Sequence, residues 1–254
     1  MADTVKKPLV FVLYTCLLRL LLPLSGQTNS AYMNIVIYIF IYSFLFFACL
    51  FTYRRLGYTG SPVPICPKKR HITDIVCLLP LTFGAVLLFS LLSAAVAAGA
   101  GLSVAPTVSP SPFALFRHAL LPALLEEAFF RYLPLRFLTG TVTERRAAWI
   151  LSSVLFAAFH FDLLRLPYAL AAGLLYFVFD GVLGSLFPSV LWHVLTNALS
   201  LLSPLWTETT VGRAVFLFVS GTLCLLSLGY AALGARKCKY KWSIQGDISD
   251  EYTE

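Results

Sequence analysis

The chain is built from a succession of apolar runs, and this constrains its fold more than any motif. The runs cover about 9–24, 31–51, 75–98, 113–137, 147–161, 168–186, 189–202 and 213–233. Those of 16 or more residues approach the roughly 20 that carry an α-helix across a bilayer. Hydrocarbon offers no solvent partner to the backbone, so spans must be helices or strands of a closed barrel. Barrel strands would alternate apolar and polar residues over about 10 positions, and these runs do not. Charged residues make up only 12% of the 254, and apolar ones 59%, whereas a soluble domain carries about 25% charged. The expectation is an all-α, polytopic transmembrane helical bundle with about eight spans.

The net charge of +7 does not point to nucleic acid, because the basic residues sit in the short connections between runs. With eight spans, Lys6, Lys7, Arg54, Arg55, Lys68, Lys69, Arg70, Arg136, Arg145, Arg146, Arg236, Lys237, Lys239 and Lys241 fall on one side, against Arg165 and Arg213 on the other. The positive-inside rule then predicts a multi-pass protein with both termini in the cytosol. It would lie in the endoplasmic reticulum of a eukaryote or the plasma membrane of a bacterium. The first run has the basic start and short apolar core of a signal peptide, but Arg19 inside that core argues for retention. Cys16, Cys49, Cys66, Cys77, Cys224 and Cys238 form no CxxC pair, so neither a disulfide framework nor a zinc knuckle is expected. Cys238, among lysines, is a loose candidate for palmitoylation, with an ordinary free thiol the simpler reading. Chain organisation is read as helices one to three in 1–112, a core of four helices in 113–202, and a last helix with a basic tail in 203–254.

Ionisable side chains inside a bilayer are expensive and face a bundle interior or a wet cavity. Glu126 and Glu127 lie in the middle of the fourth run, with Arg131 one turn on. The fifth run carries Phe156 and His160, and the seventh carries His193 and Asn197. Residues at i and i+4 share a helix face, so each of these pairs points one way. A carboxylate near imidazoles can take a proton from water, and an imidazole and a carboxamide can donate to a developing oxyanion. Each piece also has a structural reading, as a buried ion pair or as polar contacts between helices. Their co-occurrence in three runs favours chemistry. Asp162 and Asp180 are read as interfacial, and His71 and His118 carry no assigned role.

Several classes are excluded by what is missing. There is no His-Glu-x-x-His zincin signature and no phosphate-binding glycine loop. Phe218-Val-Ser-Gly221 lacks the first glycine of a Gly-x-Ser-Gly serine-protease motif, and Phe161-Asp162 and Phe179-Asp180 do not match paired intramembrane aspartates.

Glu126-Glu127-x-x-x-Arg131, Phe156-x-x-x-His160 and His193-x-x-x-Asn197, in that order on successive helices, resemble the CAAX protease and bacteriocin-processing family of intramembrane endopeptidases, which includes the type II CAAX prenyl endopeptidases. The resemblance covers about 113–202. It implies that Glu126 activates the attacking water with help from His160. It implies that His193 and Asn197 form the oxyanion site, while Glu127 and Arg131 orient the cluster and Phe156 supports it. It further implies a cavity open to the cytosol that admits a prenylated C-terminal tail, whose last three residues are removed. Glu126, His160 and His193 also have the composition of a two-histidine, one-carboxylate zinc site. Zinc therefore stays an open alternative, although the family's prenyl endopeptidases are described as metal-free. The expected partners are a prenylated protein or peptide and the lipid bilayer, with no nucleic acid. The rival reading is a catalytically silent membrane scaffold or immunity-type protein of the same family. A proton-linked transporter would show an inverted repeat, and none is visible.

Overall fold

The computed structural model describes residues 3–60, 111–138, 142–160, 166–183 and 185–202, with single or paired positions at 76 and from 211 to 229. The expected third and eighth spans, the basic 68–70 connection, the C-terminal tail, His71, Asp162, the side chain of Asp180, and Cys66, Cys77, Cys224 and Cys238 lie outside the described residues. Within them the protein is all-helical, with six helices. These are α1 (Asp3–Leu21), α2 (Ala31–Arg55), the continuous run α3 over 112–137, α4 (Val142–Phe159), α5 (Leu166–Leu183) and α6 (Phe187–Leu202). A 3₁₀ segment, Leu22–Gly26, extends α1. Among the described residues two helices are long and apolar enough to cross a membrane, Val5–Gly26 and Ala31–Arg55. Arg146–Phe159 and Phe187–Leu202 are apolar but shorter. At 25 residues, α2 is about 37 Å long at 1.5 Å per residue, and its outward face is a stripe of aromatic residues including Tyr32, Phe40, Phe44, Phe47 and Phe51.

The ends of α2 follow from local chemistry. Ser30 caps the start, its side chain accepting from the Met33 amide at 3.4 Å. At the other end Gly57 takes φ 82°, a left-handed conformation that glycine adopts without steric cost. Tyr58 N–H then donates to the Tyr53 carbonyl and Gly57 N–H to that of Arg54, each at 3.0 Å. This is a Schellman stop, completed by the packing of the Tyr53 and Tyr58 rings at 6.2 Å. Arg54 and Arg55 in the last turn complement the helix dipole. Helices α1 and α2 are tied together by Tyr14–Thr52 hydroxyls at 2.8 Å and by Tyr53 Oη donating to the Lys7 carbonyl at 2.8 Å.

Helix α3 departs from regular geometry in a way that its prolines explain. Its α segments Pro112–Leu115, Leu121–Glu127 and Leu133–Phe137 alternate with π turns at Phe116–Leu120 and Ala128–Tyr132. Each π turn ends two residues before a proline, Pro122 or Pro134. A proline inside a helix has no N–H for the carbonyl four residues back and crowds that carbonyl. Widening the preceding turn relieves the crowding without ending the helix. The second π turn starts directly after Glu127, so the distortion and the acidic pair occupy the same turn.

Around α3 the bundle closes through aromatic packing. Phe11, Tyr42, Phe129, Phe130, Phe156 and Phe159 form the buried centre where α1, α2, α3 and α4 meet. Helix α4 lies along α5, and α6 packs on both α3 and α5. The α4–α5 approach depends on Gly173, where an added Cβ would stand 3.1 Å from Ser153 Cβ and 3.2 Å from Ser153 Cα. Small residues allow such close approach between helices in a membrane. Gly173→Ala is therefore expected to destabilise the protein by about 1–3 kcal/mol through overpacking. Thermal unfolding in detergent checks this, and unchanged or raised stability would contradict the close packing.

Candidate active site

The site forms where the distorted middle of α3 meets α6 and α4. Glu127 and Arg131 are fully buried, and Glu126 and His193 nearly so. Arg131 Nε lies 3.5 Å from Glu127 Oε2, and the other Glu127 oxygen, Oε1, is 2.8 Å from His193 Nδ1. On the far side of the same imidazole, His193 Nε2 faces Glu126 Oε2 at 3.7 Å. A continuous chain results: Arg131, Glu127, His193, Glu126. Two adjacent carboxylates on one helix turn would repel each other in a low dielectric. Here one is matched to a guanidinium, and an imidazole from another helix stands between the two.

The bond directions fix the tautomers. Glu127, alongside Arg131, accepts, so His193 Nδ1–H donates and Nε2 is the nitrogen presented to Glu126. His160 Nδ1 is 2.8 Å from the Phe156 carbonyl. A carbonyl only accepts, so Nδ1 carries the proton, and in the neutral ring Nε2 keeps a lone pair. His160 sits at the end of α4, its ring against Phe156 at 4.8 Å and Phe159 at 6.0 Å, within electrostatic reach of Glu126.

Arg131 is held by more than its carboxylate. Nη1 donates to Ser152 Oγ at 3.3 Å and to the Phe130 carbonyl at 3.4 Å. Its guanidinium lies over the Phe156 ring at 5.1 Å and the Tyr176 ring at 5.8 Å. Ser152 Oγ also donates to the Phe130 carbonyl. That carbonyl lies four residues before Pro134, which has no N–H to give it. The proline thus opens an acceptor that Arg131 and Ser152 fill, linking the π turn to the buried charge.

The structure brings Glu126, Glu127, Arg131 and His193 into direct contact. Phe156 lies beside them, its ring also 5.7 Å from that of His193. Asn197 is half-buried, one turn from His193 on α6, and among the described residues it makes no hydrogen bond to the cluster. Glu126, His160 and His193 do not converge as a metal site: no group of three His, Cys, Asp or Glu side chains among the described residues is placed to hold an ion.

Several contributors were missed from sequence. Tyr38 Oη donates to Glu126 Oε1 at 3.4 Å. Ser189, on the same helix as His193, is fully buried and its hydroxyl donates to the Leu186 carbonyl at 2.9 Å. Tyr176 packs on His193 at 5.7 Å and shares a hydrogen bond with Thr196 at 3.2 Å. The available signal was polar tips at helical spacing, as in Tyr38 and Tyr42, inside otherwise apolar runs.

Residues 107–199 match the family described as type II CAAX prenyl endopeptidase Rce1-like. No curated protein and no solved structure matches the chain.

Proposed function

We propose, from the match of residues 107–199 to the Rce1-like type II CAAX prenyl endopeptidase family, that the protein is an intramembrane endopeptidase. In this reading its catalytic core lies within 113–202 of an eight-span bundle. It hydrolyses a peptide bond near the cytosolic membrane surface and removes the C-terminal tripeptide of prenylated CAAX proteins. The observation that carries the reading is the buried chain Arg131–Glu127–His193–Glu126, in which Glu126 alone of the two carboxylates is not engaged by a cation of its own helix.

Glu126 accepts a proton from a water that also donates to the Nε2 lone pair of His160. The water oxygen forms a bond to the scissile carbonyl carbon, and the carbonyl oxygen becomes an oxyanion. His193 Nε2 and the Asn197 carboxamide donate to that oxyanion. His193 already gives Nδ1–H to Glu127, so it donates from Nε2 only when the ring carries both protons. Glu127 and Arg131 are positioning residues: they set the tautomer and the ring orientation of His193. When the C–N bond breaks, the leaving amine takes the proton held by Glu126, and the carboxylate is restored.

Every step uses side chains of this chain, so a strong chelator should leave the rate of cleavage of a farnesylated CAAX peptide unchanged. Loss of activity on chelation, restored by zinc, would overturn the metal-free mechanism. A well-folded protein that cleaves no such peptide would overturn the substrate assignment and favour a silent scaffold.

A further inference from the structure

We propose that Tyr38, on α2 and outside the family-matched residues 107–199, is a positioning residue that orients the Glu126 carboxylate. The proposal rests on the reading of Glu126 as the group that activates water. The two oxygens of Glu126 have different surroundings: Oε2 faces His193 Nε2 at 3.7 Å, and Oε1 accepts from Tyr38 Oη at 3.4 Å. A carboxylate at the end of a flexible side chain must present one lone pair in a fixed direction to take a proton efficiently. A donor fixed on Oε1 restrains the terminal torsion and leaves Oε2 directed at the imidazole.

The donor is itself braced. The Tyr38 ring packs on that of Tyr42 at 4.9 Å, and Tyr42 is fully buried with its ring edge-on to Phe129 and Phe159. Phe129 belongs to the π turn that follows Glu127. The same aromatic group therefore seats α2 against the distorted turn and places the phenol over Glu126. Residues 107–199 contain three sides of this site, and α2 supplies the fourth.

Tyr38→Phe removes the hydroxyl and keeps the ring. The test uses full-length protein in detergent, with a farnesylated CAAX peptide as probe, and compares wild type, Y38F, E126Q and Y38F/E126Q. The infrared carboxyl band of Glu126, identified as the band missing in E126Q, is followed in parallel. The expected result for Y38F is a fall in kcat of about tenfold, the scale of one hydrogen bond to a charged group. KM and the unfolding temperature stay near wild type, the Glu126 band shifts, and Y38F adds nothing in the E126Q background. Wild-type kcat, or an unshifted Glu126 band, would overturn the proposal. A raised KM with kcat unchanged would also overturn it, since the hydroxyl would then be meeting substrate. If wild type cleaves no CAAX peptide, the function reading fails and the band decides for Tyr38: a shift in Y38F supports the positioning contact, and an unmoved band rejects it.

Discussion

Glu126→Gln is expected to reduce kcat for cleavage of a prenylated CAAX peptide about a thousandfold or more, with the fold intact. The substitution keeps the shape of the side chain and removes its capacity to accept a proton. General-base groups contribute about 10²–10⁴ in rate, so a thousandfold loss corresponds to about 4 kcal/mol of barrier. Stability should change little, because the polar contacts of Glu126 are long, 3.4 Å to Tyr38 and 3.7 Å to His193. Glu127→Gln separates the two carboxylates. Glu127 holds both Arg131 and His193 at shorter range, so its amide loses stability as well as activity. Initial rates with purified protein, paired with thermal unfolding of each variant, check the assignment. If Glu126→Gln keeps more than a tenth of wild-type turnover, Glu126 is not the water-activating group.

The parts of this site readable in the sequence were those where physics makes a residue conspicuous. Glu126, Glu127, Arg131 and His193 are ionisable groups in apolar runs, and such groups need partners; the structure pairs them with one another. Their convergence required that α3, α4 and α6 pack together, which a helical bundle allows. The helical class followed from the length and lack of alternation of the runs, whereas the number of spans does not: among the described residues two helices, α1 with its extension and α2, are both long and apolar enough to cross a membrane. The π turns of α3 were not anticipated. Pro122 and Pro134 were visible, but whether a proline ends, kinks or widens a helix depends on whether neighbouring helices can satisfy the carbonyl it leaves. At Pro134 that depends on Ser152, which is distant in sequence. Tyr38 was missed for a different reason. A tyrosine in an aromatic-rich span has no marked chemistry until its hydroxyl is found on a carboxylate 88 positions away.

Arg131→Ala is expected to destabilise the protein by about 3–5 kcal/mol, the cost of leaving one member of a buried ion pair unmatched. Arg131 and Glu127 are both fully buried, so the remaining carboxylate gains no water in exchange. The variant also vacates the space between the Phe156 and Tyr176 rings and withdraws a donor from the Phe130 carbonyl beside Pro134. Arg131→Lys restores the charge only in part. An ammonium cannot span Glu127, Ser152 and the Phe130 carbonyl at once, and it lacks the planar face that lies between the two rings. Removing both charges, as Glu127→Gln with Arg131→Met, should recover much of the stability, because the uncompensated carboxylate is gone. It should not recover activity, because His193 then lacks the carboxylate that holds Nδ1–H and fixes the ring. Unfolding midpoints and peptide cleavage across the three variants separate the two roles. An Arg131→Ala protein as stable as wild type would mean that the pair holds nothing together. A double variant with wild-type turnover would mean that His193 needs no positioning by Glu127.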